Sequence, residues 1–277
     1  MSPPAPPHQD ADHAPLAAWL TTPPGRYLLA WEQAQLDRVV ADVFGFHALQ
    51  LGLPELDGLR ANRMPHRWVA LDRLAGDGTP PRAIALLTQG DALPFDERSL
   101  DLVVLPHALE LARDPHQTLA EVERVLMPEG RLVILGFNAA SLWGLRQRGG
   151  LMRRALGGKA PLFLPRPGDF IGYWRLRDWL RLLSFEVEGG RFGAYRPALR
   201  SERWLERFAW MDRIGDRWWP VFGAVYMVQA VKRVRGMRLV GLAKTERVKA
   251  PAAPAVATHR GVHRTPREQN EHETMPS

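Results

Sequence analysis

Short apolar runs punctuate the chain at residues 48–51, 68–71, 83–87, 102–105, 132–135, 185–187 and 224–231. Runs this short, bounded by turn-forming residues, read as buried strands rather than helices. The pieces between them are long enough for crossover connections. That pattern predicts an α/β protein built on a mostly parallel sheet covered by helices. The clearest helix lies between the fourth and fifth runs. Asp114 is placed to cap it, and Pro115 stands at the first helical position, where its missing N–H is harmless. Leu119, Val122 and Leu126 recur at spacings of three and four and form one apolar face. Pro128, Glu129 and Gly130 then stop the helix and turn the chain into the fifth run. A second helix is expected over 174–183, after a glycine- and proline-broken stretch, 146–166, that reads as mobile.

Composition narrows the picture. The 277 residues are 45% hydrophobic and 24% charged, the profile of a globular protein with a sizeable core. There is no cysteine, which excludes disulfides, thiolate metal sites and a cysteine nucleophile, and fits a reducing compartment. No apolar stretch approaches the roughly 18 residues of a spanning helix. The first residues have neither the basic start nor the apolar run of a signal peptide. A cytoplasmic location is the expectation. Residues 1–15 and the tail, 237–277, are expected to be disordered, flanking one domain over 16–236.

The net charge of +7 is unevenly spread. Residues 1–145 hold 11 Lys/Arg against 18 Asp/Glu, whereas 146–200 hold 12 against 4 and 231–277 hold 10 against 4. An acidic first half followed by a basic middle and tail suggests an anionic partner on one side. Solvated arginines on exposed helices give the same pattern.

Open α/β sheets bind ligands at the carboxyl ends of their strands. The first run ends in Gln50-Leu51-Gly52 and the second in Asp72, 20 residues beyond Gly52. An acid at that offset from a glycine turn is spaced to reach ribose hydroxyls. After the third run, Asp91 is placed to accept from an adenine amino group while Ala92 or Leu93 packs on the ring. An Asp at a strand end equally serves as a helix cap. His107, just after the fourth run, is the candidate base, or a histidine bonded to backbone at a helix start. His47 reads as structural. Asn138 orients an acceptor or caps the helix beginning near Leu142.

Together these residues form a recognisable stretch. Asp91-Ala92-Leu93-Pro94-Phe95, Leu100-Asp101-Leu102-Val103 and Arg124-Val125-Leu126-Met127-Pro128-Glu129-Gly130 resemble the central motifs of class I S-adenosylmethionine-dependent methyltransferases. The resemblance is specific over about 90–138 and extends loosely from Tyr27 to Val231. It implies a seven-strand, Rossmann-like open sheet with helices on both faces, the last strand antiparallel, and S-adenosylmethionine as cofactor. Carried onto this sequence, it makes Asp72 the ribose-binding acid and Asp91 with Ala92 the adenine pair. Gln50 and Gly52 stand in the first glycine motif, and Leu105 ends the fourth strand beside the methyl group, with His107 close by. The departure lies in the first motif. Where the family shows an acid and three spaced glycines, this chain reads Gln50-Leu51-Gly52-Leu53-Pro54-Glu55. Among relatives, the chain looks closest to a bacterial branch with a Gly-Phe-His sequence before the first strand. Such a transferase needs little beyond alignment of donor and acceptor, which supplies up to about 7–11 kcal/mol. A base adds roughly 10²–10⁴-fold.

The segment 141–184 reads as a basic lid or substrate wall. It mixes arginines with Trp143, Phe163, Phe170, Tyr173 and Trp174. That mixture suits stacking on nucleic-acid bases, contact with an anionic membrane surface, or a pocket for an anionic or aromatic acceptor. An amphipathic lid with an aromatic core also fits. Two other functions remain open: a methyltransferase-like fold that has lost catalysis and acts as a binding or scaffold module, and a nucleic-acid-binding module using lid and tail. A dehydrogenase is disfavoured, because the Gly-x-Gly-x-x-Gly fingerprint is missing.

Overall fold

A computed structural model describes residues 13–73, 83–158, 162–165 and 170–233. Seven strands form one sheet: β1 (His47–Leu51), β2 (His66–Leu71), β3 (Leu86–Leu87), β4 (Leu100–Pro106), β5 (Leu126–Phe137), β6 (Phe185–Gly193) and β7 (Val225–Lys232). Their order is β3-β2-β1-β4-β5-β7-β6. Strands β1 to β5 pair in parallel, and β7 runs antiparallel between β5 and β6. The order reverses between β1 and β4, the switch point at which open α/β sheets bind ligands.

The sequence periodicities explain the layers. Alternate residues of β4 face opposite ways, as the pleat requires. Leu102 and Val104 join a core with Leu28, Leu36 and Val40 of α2 (Pro23–Val40), beneath α1 (His13–Leu20). Val103 and Leu105 join a second core with Leu119 and Val122 of α4 (Pro115–Val125), and with Leu176 and Leu180 of α6 (Tyr173–Leu182). Helices therefore cover both faces. The remaining helices are α3 (Ala108–Leu111), α5 (Leu142–Ala155), α7 (Glu202–Arg207) and α8 (Trp210–Trp218), followed by a 3₁₀ turn at Pro220–Phe222. Among the described residues no helix is long and apolar enough to cross a membrane.

Asp114 caps α4 as expected, its Oδ1 accepting from the amides of His116 and Gln117 at 2.9 and 3.1 Å. Elsewhere the boundaries move. The third apolar run contributes only Leu86 and Leu87 to the sheet. Pro128-Glu129-Gly130 lies within β5, with Glu129 at φ 64°. The stretch 146–166 is not uniformly mobile, because α5 runs through it to Ala155. Ser141 nucleates this helix by accepting from the Gly144 amide at 3.1 Å, and Gly149 and Gly150 are tolerated at about 1 kcal/mol each. Helix α1 starts at His13, inside the expected disordered terminus; residues 1–12 and the tail 237–277 lie outside the described residues.

Candidate active site

The strand ends at the switch point enclose one cleft. Leu51 and Gly52 come from β1, Asp72 follows β2, Gln89, Gly90 and Asp91 follow β3, and the chain from β4 supplies Ala108 and Leu111 to Asp114. Thr118 of α4 closes one side of the cleft. Asp72 and Asp91 thus border a single hollow. Gly52 bends the chain at its floor with φ +83°, a left-handed conformation that favours glycine. Its amide donates to the Ala70 carbonyl at 2.8 Å, which fixes the turn against β2.

The other expected contacts lie elsewhere. Gln50 is fully buried on the α2 side of β1 and does not line the cleft. Its Nε2 donates to the carbonyls of Gly52, Leu53 and Leu56 at 3.2, 3.0 and 2.8 Å, and its Oε1 accepts from the Gly58 amide at 2.9 Å. A carboxylate could not donate to those three carbonyls. The glutamine at this position therefore folds the 52–58 loop around its own amide. Leu105 packs in the second core, and Ala92 sits outside the cleft wall, its carbonyl accepting from Thr88 Oγ1 at 2.8 Å.

His107 follows β4 as the N-cap residue of α3 at φ 54°, a strained position for a residue with a side chain. Its amide donates to Leu135 on β5 at 3.0 Å. The ring is buried. Nε2 lies 2.8 Å from Glu32 Oε1 of α2, and Nδ1 lies 2.8 Å from Glu110 Oε2 of α3. Burial by itself disfavours the charged ring, but the two carboxylates outweigh it and raise the pKa to about 10. In its protonated form the ring donates from both nitrogens, to Glu32 and to Glu110, which leaves none to take a proton from an acceptor. Glu110 Oε1 is satisfied by the Phe137 amide at 2.6 Å. Glu32 Oε2 is buried with no hydrogen-bond partner among the described residues.

Asn138 neither caps the next helix nor stands free. Its Nδ2 donates to the carbonyls of Val221 and Gly223 at 2.7 and 2.9 Å, tying the end of β5 to the approach to β7. His47 is structural in its contacts: it stacks with Trp68 and His66, and its Nδ1 lies 3.1 Å from the Ser99 carbonyl. Sequence reasoning missed Glu32 and Glu110. A signal was present for Glu32, which interrupts the buried stripe Leu28, Leu36, Val40 at a spacing of four.

With this geometry in place, comparison with known proteins adds four findings. Residues 69–134 match a family model described as a methyltransferase domain. The uncharacterised protein YafS of Escherichia coli (strain K12) is 32% identical over 172 residues, covering 61% of this chain and 65% of that protein. A ubiquinone/menaquinone biosynthesis C-methyltransferase of Marinomonas sp. (strain MWYL1) is 33% identical over 70 residues, 25% of this chain and 28% of the relative. The chain therefore spans less than two thirds of the curated relatives it matches. Among solved structures, an S-adenosylmethionine-dependent methyltransferase of Thermotoga maritima, a possible histamine N-methyltransferase, shares the fold with a TM-score of 0.54 at 13% identity, over 78% of this chain and 94% of its own. The seven-strand topology is that of a Rossmann-like methyltransferase fold, and the matched stretch lies across its central strands. The chain shares the class I S-adenosylmethionine-dependent methyltransferase fold, and its residues 69–134 are similar to the methyltransferase domain model.

Proposed function

We propose that the chain binds S-adenosylmethionine in the switch-point cleft and transfers its methyl group to an acceptor. The observation that carries this reading is that Asp72, Asp91 and the left-handed Gly52 turn all open on that one cleft. Their chemistry fits the cofactor: two carboxylates for ribose hydroxyls and an adenine amino group, and a glycine that lets backbone approach without a Cβ. When bound, the cofactor supplies a sulfonium whose methyl group is electrophilic.

The chain's own residues bind and orient. Asp72 holds the ribose, Asp91 the adenine edge, and the Gly52 turn lies along the cleft floor. We assign His107 a positioning role. Its imidazolium clamps α2 and α3 to the end of β4, so the Ala108–Asp114 wall keeps its place. Gln50 acts in the same sense, through the loop it folds. We assign methyl transfer to residues 16–236, with 141–184 as a wall beside the acceptor, and leave the basic tail 237–277 outside that unit. The Marinomonas relative's name supports methyl transfer as the reaction class.

Isothermal titration tests the reading. S-adenosylmethionine and S-adenosylhomocysteine are expected to bind at micromolar to millimolar concentration. Asp72→Ala and Asp91→Ala should each weaken that binding by roughly tenfold or more, since each removes a charge-assisted hydrogen bond. No heat at millimolar ligand overturns the proposal, and unchanged affinity in both variants removes the cleft as the site.

A further inference from the structure

Helix α5 has two apolar faces, and its fold covers only one. Trp143 and Gln147 are buried. On the other side Leu142, Leu145, Gly149, Met152 and Leu156 recur at spacings of three and four, so they form one stripe along the helix. Leu145, Met152 and Leu156 are 67%, 68% and 80% exposed, and a side chain added at Gly149 would meet nothing within 4 Å. On the helical wheel Arg148 falls on one side of this stripe and Arg153 on the other. The fourteen residues of α5 hold four arginines and no acid.

Helix α8 borders the same side of the fold through Met211 and carries an exposed apolar stripe of its own. Trp210, Ile214 and Trp218 are spaced by four and form an exposed stripe. Beyond it, Trp219, Val221 and Phe222 are also exposed. Between the two helices lies an apolar groove whose walls include Leu142, Leu145 and Arg148 from α5, and Met211, Trp219 and Phe222 from the α8 side. Soluble monomers rarely expose an apolar surface that extends over two helices and a groove.

We infer that this α5–α8 face docks on the surface of an anionic lipid bilayer. Two features select that occupant. Tryptophans collect at the headgroup level, where an amphipathic ring has both an apolar and a wet side. Arginines flanking an apolar stripe, with no acid on the same helix, match the negative headgroups that such a helix would lie among. The mode is peripheral. The apolar stripes enter the headgroup–acyl boundary while the opposite face of α5 stays packed in the core through its own Trp143. Ala139 to Ser141, which directly follow β5, also border the groove, so docking would bring the carboxyl edge of the sheet close to the lipid. The inference does not depend on methyl transfer, and its test needs no catalytic readout.

The test is flotation of the full-length protein with vesicles of phosphatidylcholine alone and of phosphatidylcholine mixed with phosphatidylglycerol. Partition into the mixed vesicles only is expected. Arg148→Glu and Arg153→Glu should each weaken it roughly fivefold or more. Leu145→Ser combined with Trp218→Ser should weaken it by about tenfold or more. All of these positions are exposed, so the variants should keep the parent's thermal midpoint. Trp174→Ser, at an exposed tryptophan of α6, should bind as the parent does. Failure to float with anionic vesicles overturns the inference. So does equal binding in the α5 and α8 variants, which would locate any lipid affinity elsewhere. A concentration-dependent dimer that the Leu145→Ser change dissolves, without vesicle binding, overturns it in favour of a second copy of the chain.

Discussion

At the scale of single residues, the site depends on groups that hold its walls as much as on groups that line them. His107 is the clearest case. Its folded pKa is raised from 6.5 to about 10, so the folded state retains a proton that the unfolded chain releases near neutrality. The sign follows from linkage: the stabilisation is fully present below about pH 6.5, declines as pH rises, and is lost once pH passes about 10. Thermal unfolding of the parent should therefore lose more stability between pH 6 and pH 10 than unfolding of His107→Gln does. Parallel pH profiles would show that the imidazolium is not held by Glu32 and Glu110. That Asp72, Asp91 and Gly52 border one cleft was legible in the sequence because each follows a strand end on the same rim of the sheet. Gln50 was legible as a departure from the family pattern but not as a loop organiser, since that role depends on which face of β1 it takes. Glu32 was visible only as a carboxylate on an apolar stripe. Its partner lies 75 residues away, at a distance along the chain that periodicity does not reach.

At the scale of elements, local chemistry wrote most of the fold. The helix after Asp114 formed where the cap, the proline and the apolar spacing agreed. Removing its cap by Asp114→Ala should lower stability by about 1 kcal/mol, read as a fall in the thermal midpoint, because the amides of His116 and Gln117 lose their acceptor. An unchanged midpoint would mean that water replaces the carboxylate without loss. The strands were legible from their apolar runs, although β3 shrank to two residues, because only Leu86 and Leu87 reach a partner on β2. The misreading fell on α5. Two adjacent glycines look like a break, yet their combined propensity cost is small against a helix capped by Ser141 and anchored by Trp143. Trp143 also donates from its indole nitrogen to the Arg196 carbonyl at 2.7 Å, a contact that no local pattern announces.

At the scale of the whole molecule, the N-terminal helices and the sheet behave as one unit around the switch point. Trp19 of α1 packs edge-on against Phe137, Trp143 and Phe163, so the first helix is joined to the end of β5 and to the segment after it. Tyr27 of α2 donates to Asp212 of α8, and Arg196 lies over its ring at 4.3 Å. Burial and the Asp212 carboxylate hold that phenol far above its ordinary pKa, so it stays a donor at any physiological pH. A ligand that binds only this assembled state must raise its unfolding temperature. With S-adenosylhomocysteine at a hundredfold excess over its dissociation constant, the added stability should be about 2.7 kcal/mol. A thermal midpoint that does not respond to ligand would mean that the cleft does not hold it.

The strand order has one further consequence. β7 is the last of the described strands along the chain but not the last in the sheet, because it is laid between β5 and β6 and pairs with both. During synthesis β6 emerges first and has no neighbour to hydrogen-bond with, while β5 keeps an open flank. Lys232, at the end of β7, then reaches across to the carbonyl of Leu126 at 3.0 Å and to the Glu123 carboxylate at 2.9 Å, fastening the far end of α4. Such a late-arriving keystone means that two of the seven strands wait on the eight residues of β7, which ties completion of the fold to near-complete translation of the domain.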